Sequence, residues 1–113
     1  MTKRTHLGDL EELALLAVLR LGDDAHGGAV RDELAARANR SVSISTVYVT
    51  LMRLEEKGYA RSWLGEPTEE RGGKAKRHFA VSAEGLATLE ATRAVRERMW
   101  EGADRARGGA HAG

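Results

Sequence analysis

One stretch limits what this chain can become more than any other, and it runs from Ser43 to Gly58. It opens on hydroxyl residues, repeats its apolar residues at helical spacing and stops at a glycine, after which the period changes to two. Ser43 is the expected N-cap, with Ser41 and Ser45 as rivals, because a hydroxyl there can accept from the free amides of a first turn. On a wheel of about 100° per residue, Ile44, Val47, Leu51 and Leu54 form one inward stripe. Ser45, Thr46, Val49, Met52, Arg53 and Glu56 lie on the other side. Gly58 suits the position just past a helix end, where a left-handed backbone is common.

Beyond Gly58 the pattern is strand, charged loop and strand. Tyr59 to Leu64 alternates, with Tyr59, Arg61 and Trp63 on one side, and Arg77 to Val81 returns as a second strand. Between them, residues 65–76 hold Pro67, Gly72, Gly73 and many charges. Arg71, Lys74, Lys76 and Arg77 make a basic run with no acid between 71 and 83, while Glu66, Glu69 and Glu70 precede it. Trp63 is most simply core packing or packing at the base of this hairpin.

Upstream, two helices are expected. Asp9 is placed to cap the first, with Glu11 and Glu12 in its first turn. From Leu13 to Leu21 eight of nine residues are apolar. Leu10, Leu13, Ala14, Ala17 and Leu21 share one face, while Leu15 and Leu19 point to the other. A helix apolar all round must be covered all round, either as the central helix of a monomer or by a second subunit. Gly22 to Asp24 is a turn, and His26 to Ala38 is the second helix, with Val30 and Leu34 inward. Gly27 and Gly28 weaken its first turn by roughly 1 kcal/mol each relative to alanine, or let another backbone approach. Downstream, Ser82 caps a last helix reaching about Trp100. Its stripe of Thr88, Thr92, Val95 and Met99, flanked by Leu89 and Trp100, is only partly apolar, which fits a subunit contact. The tail from Gly102, rich in Gly, Ala and Arg, is expected to be disordered.

The fold read from this order is α+β and mainly α. It is a winged helix-turn-helix of three helices with a β-hairpin wing, followed by a C-terminal dimerisation helix. Its parts are a flexible start (1–8), a winged helix-turn-helix domain (9–82), the last helix (83–101) and the tail (102–113). At 113 residues one domain is the limit, and a net charge of +1 says less than where the charges sit. No cysteine is present, which excludes disulfides and thiolate metal sites. The four histidines have no ligand spacing, so no metal is expected. The apolar run of the first helix is too short to span a bilayer and no signal-peptide core follows Met1; a cytoplasmic location is expected.

A helix that reads DNA enters the major groove by its N-terminal part, presenting donors and acceptors to base edges. Ser43, Ser45, Thr46, Val49, Thr50 and Arg53 are the candidates, although Thr50 points partly inward. Tyr48 lies on the boundary, where its hydroxyl can reach a phosphate. An ordinary amphipathic helix with capping serines has the same pattern. The basic wing of Arg71, Lys74, Lys76 and Arg77 favours DNA, because phosphate contacts release counterions. A winged helix used only for protein contact is the alternative. Enzyme activity is not expected: no histidine sits with carboxylates at motif spacing, no phosphate loop or His-Glu-x-x-His occurs, and no cofactor is expected.

Leu7 to Leu19, Val47 to Gly58, Gly65 to Arg77 and Val81 to Gly85 together resemble the PadR family of transcriptional regulators. The most specific part is Tyr-x-x-Leu-x-x-Leu-Glu-x-x-Gly, Tyr48 to Gly58, followed by Arg-Gly-Gly and basic residues. The resemblance covers roughly residues 7–100. It implies a homodimer that binds a palindromic operator, usually as a repressor, through Tyr48 and its helix neighbours, with Lys74, Lys76 and Arg77 holding the wing on the backbone. It also implies dimerisation through the first and last helices, for which Leu10, Leu15, Leu19, Leu89, Thr92, Val95, Met99 and Trp100 are the candidates. Some smaller members bind flat aromatic molecules between tryptophans, a role open here to Trp100. The chain departs from the family in carrying His26-Gly-Gly28 where many members have Tyr-Gly-Tyr, so a phosphate contact by those tyrosines does not carry over. Val49 stands where proline is common.

Overall fold

The computed structural model describes residues 7–66, 75–103, 105 and 106. Leu7 is buried and Gly8 caps α1 (Asp9–Leu21). Asp9, the expected cap, is instead the first helical residue. The cause is Glu11, whose carboxylate reaches back to accept from the Gly8 N–H at 2.8 Å and moves the start one residue earlier. Ala14, Leu15, Ala17 and Val18 are buried, with Leu10, Leu13 and Leu21 half-buried against them. Leu15 therefore belongs to the monomer's own core and not to a free face. The domain surrounds most of its first helix, because two further helices and the hairpin pack on it.

A 3₁₀ turn (Gly22–Asp24) leads to α2 (Gly27–Ala38). His26 caps it, its Nδ1 accepting from the Ala29 N–H at 3.3 Å. Val30 and Leu34 are buried, and Asn39 ends the helix in the left-handed region at φ 54°. Ser43 then caps α3 (Ile44–Glu56), its hydroxyl oxygen accepting from the Thr46 N–H at 3.1 Å. The buried stripe of α3 is Val47, Thr50, Leu51 and Leu54. Ile44, expected in that stripe, is 36% exposed. It is the first helical residue and lies at the rim, whereas Thr50 fills the inward position between Val47 and Leu54.

The end of α3 is fixed by two paired bonds. The Gly58 N–H donates to the Glu55 carbonyl and the Tyr59 N–H to the Leu54 carbonyl, each at 2.9 Å, with Gly58 at φ 85°. This turn sends Tyr59 into the core before strand pairing begins, so Tyr59 does not share a face with the exposed Arg61 and Trp63. Strands β1 (Ala60–Leu64) and β2 (Arg77–Val81) then pair antiparallel, from Ala60 opposite Val81 to Leu64 opposite Arg77. Phe79 is the buried centre of β2, and its N–H donates to the Ala25 carbonyl at 2.8 Å. The segment entering α2 thus lies along the free edge of β2.

Ser82 joins this corner to α4 (Ala83–Trp100). Its oxygen accepts from the Gly85 N–H at 2.9 Å, its hydroxyl donates to the Gly58 carbonyl at 2.7 Å, and its N–H donates to the Tyr59 carbonyl at 3.0 Å. Gly85 has to be glycine, because a Cβ there would overlap the Tyr59 carbonyl oxygen. Leu89 is buried against the core, so its main contact is internal. Beyond it α4 leaves the body, and Val95, Met99 and Trp100 are exposed. After Gly102, at φ 77°, the Ala106 N–H donates to the Gly102 carbonyl at 2.8 Å. The rest of the tail and residues 1–6 lie outside the described residues.

Candidate nucleic-acid interface

The outward side of α3 carries Ser45, Thr46, Val49, Met52 and Arg53, all exposed. At its head the Ser43 hydroxyl donates to Thr46 Oγ1 at 3.0 Å while its oxygen accepts from the Thr46 amide. Two hydroxyls are thereby held together at the positive end of the helix. Thr50, expected to face DNA, does not. Its side chain is buried and its hydroxyl donates to the Thr46 carbonyl at 2.8 Å. A threonine whose hydroxyl is satisfied four residues back costs little to bury.

Arg53 makes no ion pair or hydrogen bond among the described residues, unlike several other cations. Arg40 pairs with Asp9 at 2.6 Å, Lys57 with Glu11 at 2.8 Å, and Arg96 with Glu12 at 2.9 Å. A groove of about 530 Å³ runs between the start of α1 and α3, lined by Gly8, Leu10 and Glu11 on one side and Ser45, Thr46, Val49 and Arg53 on the other. Its acid, Glu11, is compensated. Burial alone would raise its pKa, but the Lys57 ammonium and the Gly8 N–H outweigh this and hold it below the ordinary carboxylate range.

Tyr48 lies between α2 and the sheet. Its ring is tilted against Phe79 with centroids 6.5 Å apart, and a Cβ on Gly27 would stand 2.5 Å from its Cζ. Gly27 thus makes room for an aromatic ring from α3, not for another backbone. Sequence reasoning found the paired glycines but not their neighbour, because nothing in the local pattern says that α3 crosses there.

At the base of the wing, His78 stacks on Trp63 with centroids 5.9 Å apart and 17° between planes, which settles Trp63 as hairpin-base packing. His26 meets His78 edge-on at 6.0 Å. Burial and the Lys76 ammonium push the His26 pKa down, against a weaker pull upward from Asp24. Lys76 is exposed, whereas Arg77 is half-buried and donates from Nη1 to Ser62 Oγ at 3.0 Å. The Ser62 hydroxyl in turn donates to Glu55 at 2.8 Å, so Arg77 anchors the wing to the end of α3. Arg71 and Lys74 lie outside the described residues.

A second apolar surface lies between α1 and α4, a groove of about 490 Å³ lined by Leu16, Leu19, Leu86 and Leu89 with charged Glu12 and Arg96 at its rim. Leu19 was expected there; Leu16 and Leu86 were not singled out, although both fall on the unburied side of their helices. Leu10 and Leu89 sit mainly against the core, Thr92 is half-buried, and Val95, Met99 and Trp100 line a separate depression farther along α4. Among the described residues no cluster of metal-ligating side chains occurs and no helix is long and apolar enough to cross a membrane.

Comparison with known proteins places this geometry. The model of the transcriptional regulator PadR-like family matches residues 15–91. A PadR-like transcription factor from Bacteroides fragilis is similar in structure at a TM-score of 0.69 and 19% identity, over 85% of this chain and 87% of that one. A PadR family regulator from Eggerthella lenta gives 0.66 at 24% identity, over 85% and 79%. Bacillus subtilis PadR, solved in complex with operator DNA, gives 0.57 at 19% identity, over 72% of this chain and 46% of that one. No curated protein matches the chain. The four helices, the two-stranded wing and the family match agree: the chain belongs to the PadR-like family of transcriptional regulators.

Proposed function

We propose that this protein is a homodimeric, sequence-specific DNA-binding repressor. In this reading α3 lies in the major groove of each half of a palindromic operator and the 65–76 wing lies on the backbone. The observation that carries it is the outward face of α3, with paired hydroxyls at its N-terminus, an unpaired Arg53 and no acid from Ile44 to Leu54. Over those residues the face is positive and suits a polyanion, and its acid, Glu56, lies at the opposite end of α3 from the N-terminus that enters the groove. That a structural relative was solved in complex with operator DNA supports DNA as the partner. Leu16, Leu19 and Leu86, left open between α1 and α4, would pack against a second copy together with Val95 and Met99. Trp100 would join that contact, and a flat aromatic effector stacked on it would quench its fluorescence.

Selection of bound duplexes from a random pool tests the proposal. The expected result is a two-fold repeat with half-sites about one helical turn apart. On the selected site, neutralising Lys74 and Lys76 should flatten the salt dependence by about 0.9 log unit per lost phosphate contact. No enriched sequence and no salt-dependent affinity would instead favour a winged helix that contacts only protein.

A further inference from the structure

The outward face of α3 is not uniformly polar. Val49 is 52% exposed and Met52 45% exposed, and with Tyr48, Arg53 and Glu56 they line a shallow groove of about 380 Å³ that no described element covers. The core does not use these side chains, since the buried stripe of α3 is Val47, Thr50, Leu51 and Leu54. We infer that Val49 and Met52 are specificity-determining residues that read thymine C5-methyl groups in the major groove, an inference that rests on the DNA-binding reading above.

Serine and threonine hydroxyls pair with several bases, and an arginine selects guanine. An apolar side chain selects by exclusion: it packs against the thymine methyl, the apolar group that the major groove offers. Opposite another base edge it would leave donors or acceptors dry and unpaired. Val49 and Met52 are three residues apart, a rise of about 4.5 Å along the helix. That is close to the roughly 3.4 Å step between base pairs, so the two side chains address neighbouring base pairs. Charge along the N-terminal part of α3 favours DNA over a protein segment as the occupant: the charged residue between Ile44 and Leu54 is Arg53, the acid of the groove, Glu56, lies one turn beyond Met52 at the helix end, and Glu11 across the adjoining groove is held by Lys57.

The test replaces each thymine of the selected half-site by deoxyuridine, which removes the methyl and nothing else. The wild-type protein should lose affinity by about fourfold for each methyl read, the equivalent of one buried carbon. Val49→Ala and Met52→Ala should bind the thymine duplex more weakly and lose less than wild type when uridine is introduced. Both positions are half-exposed, so the folded state should persist, and circular dichroism checks that. An unchanged wild-type affinity on every uridine duplex overturns the inference, as does an equal uridine loss in wild type and both variants. Variants that keep thymine discrimination but change self-association would mark the patch as a protein contact and overturn it too. In these cases specific, salt-dependent binding survives, which separates them from failure of the DNA-binding reading itself.

Discussion

Thr50 and Arg53 stand three residues apart on one helix and end in opposite surroundings. Arg53 is exposed with no partner among the described residues, and Thr50 is buried with its hydroxyl returned to the Thr46 carbonyl. Residue type alone made both look like DNA contacts, because a wheel gives direction but not how deep a neighbouring helix sits. Arg53→Ala should therefore weaken specific binding by about 1–3 kcal/mol; titrations showing equal loss on specific and random duplexes would refute base reading. His26 supplies a prediction in pH. Its Nδ1 must stay unprotonated to cap α2, and burial, with Lys76 next in weight, lowers its pKa from the ordinary value of about 6.5. The unfolded chain thus takes up the proton more readily than the folded one. The stability is present above about pH 6.5 and is lost as pH falls through the folded pKa. Thermal melts from pH 8 to 5 should show a shallower decline for His26→Asn, which keeps a capping oxygen but cannot titrate. Identical declines would remove His26 from the account.

At the scale of elements, most of the punctuation was readable. Ser43 and Ser82 cap where their hydroxyls predicted, and Gly58 takes the left-handed position after α3. These are local bonds within a few residues, which is why sequence carries them. What it did not carry were close approaches between elements: Gly27 under the Tyr48 ring, Gly85 against the Tyr59 backbone, and Ala25 at the edge of β2. Gly85→Ala should accordingly cost about 1–3 kcal/mol, because the obstruction is main chain and cannot rotate away. Chemical denaturation measures this, and a loss of a few tenths would show that α4 can shift to accept a methyl. Ser43→Ala should cost about 1 kcal/mol through the lost cap, measurable the same way.

Over the whole molecule, the order of helices, hairpin and last helix was legible, and so was the partial apolarity of α4. Assigning Leu15 to an outer face failed, because α2, α3 and β2 all converge on α1, and that convergence is set by packing far apart in sequence. The open part of α1 reduces to Leu16 and Leu19, facing Leu86. Leu19→Glu should leave the fold intact, since the side chain is 46% exposed, while shifting the mass measured by light scattering from dimer to monomer. An unaltered mass would overturn the proposed subunit contact at Leu19. The Ser82 corner bears on how such a dimer would measure DNA. Two hydrogen bonds from Ser82, to the Gly58 and Tyr59 carbonyls, and a glycine without clearance lock the root of α4 to the turn that follows α3. The proposed dimer is then a fixed gauge, not a pair of jaws: inserting or deleting one base pair between half-sites should be rejected, not accommodated by flexing.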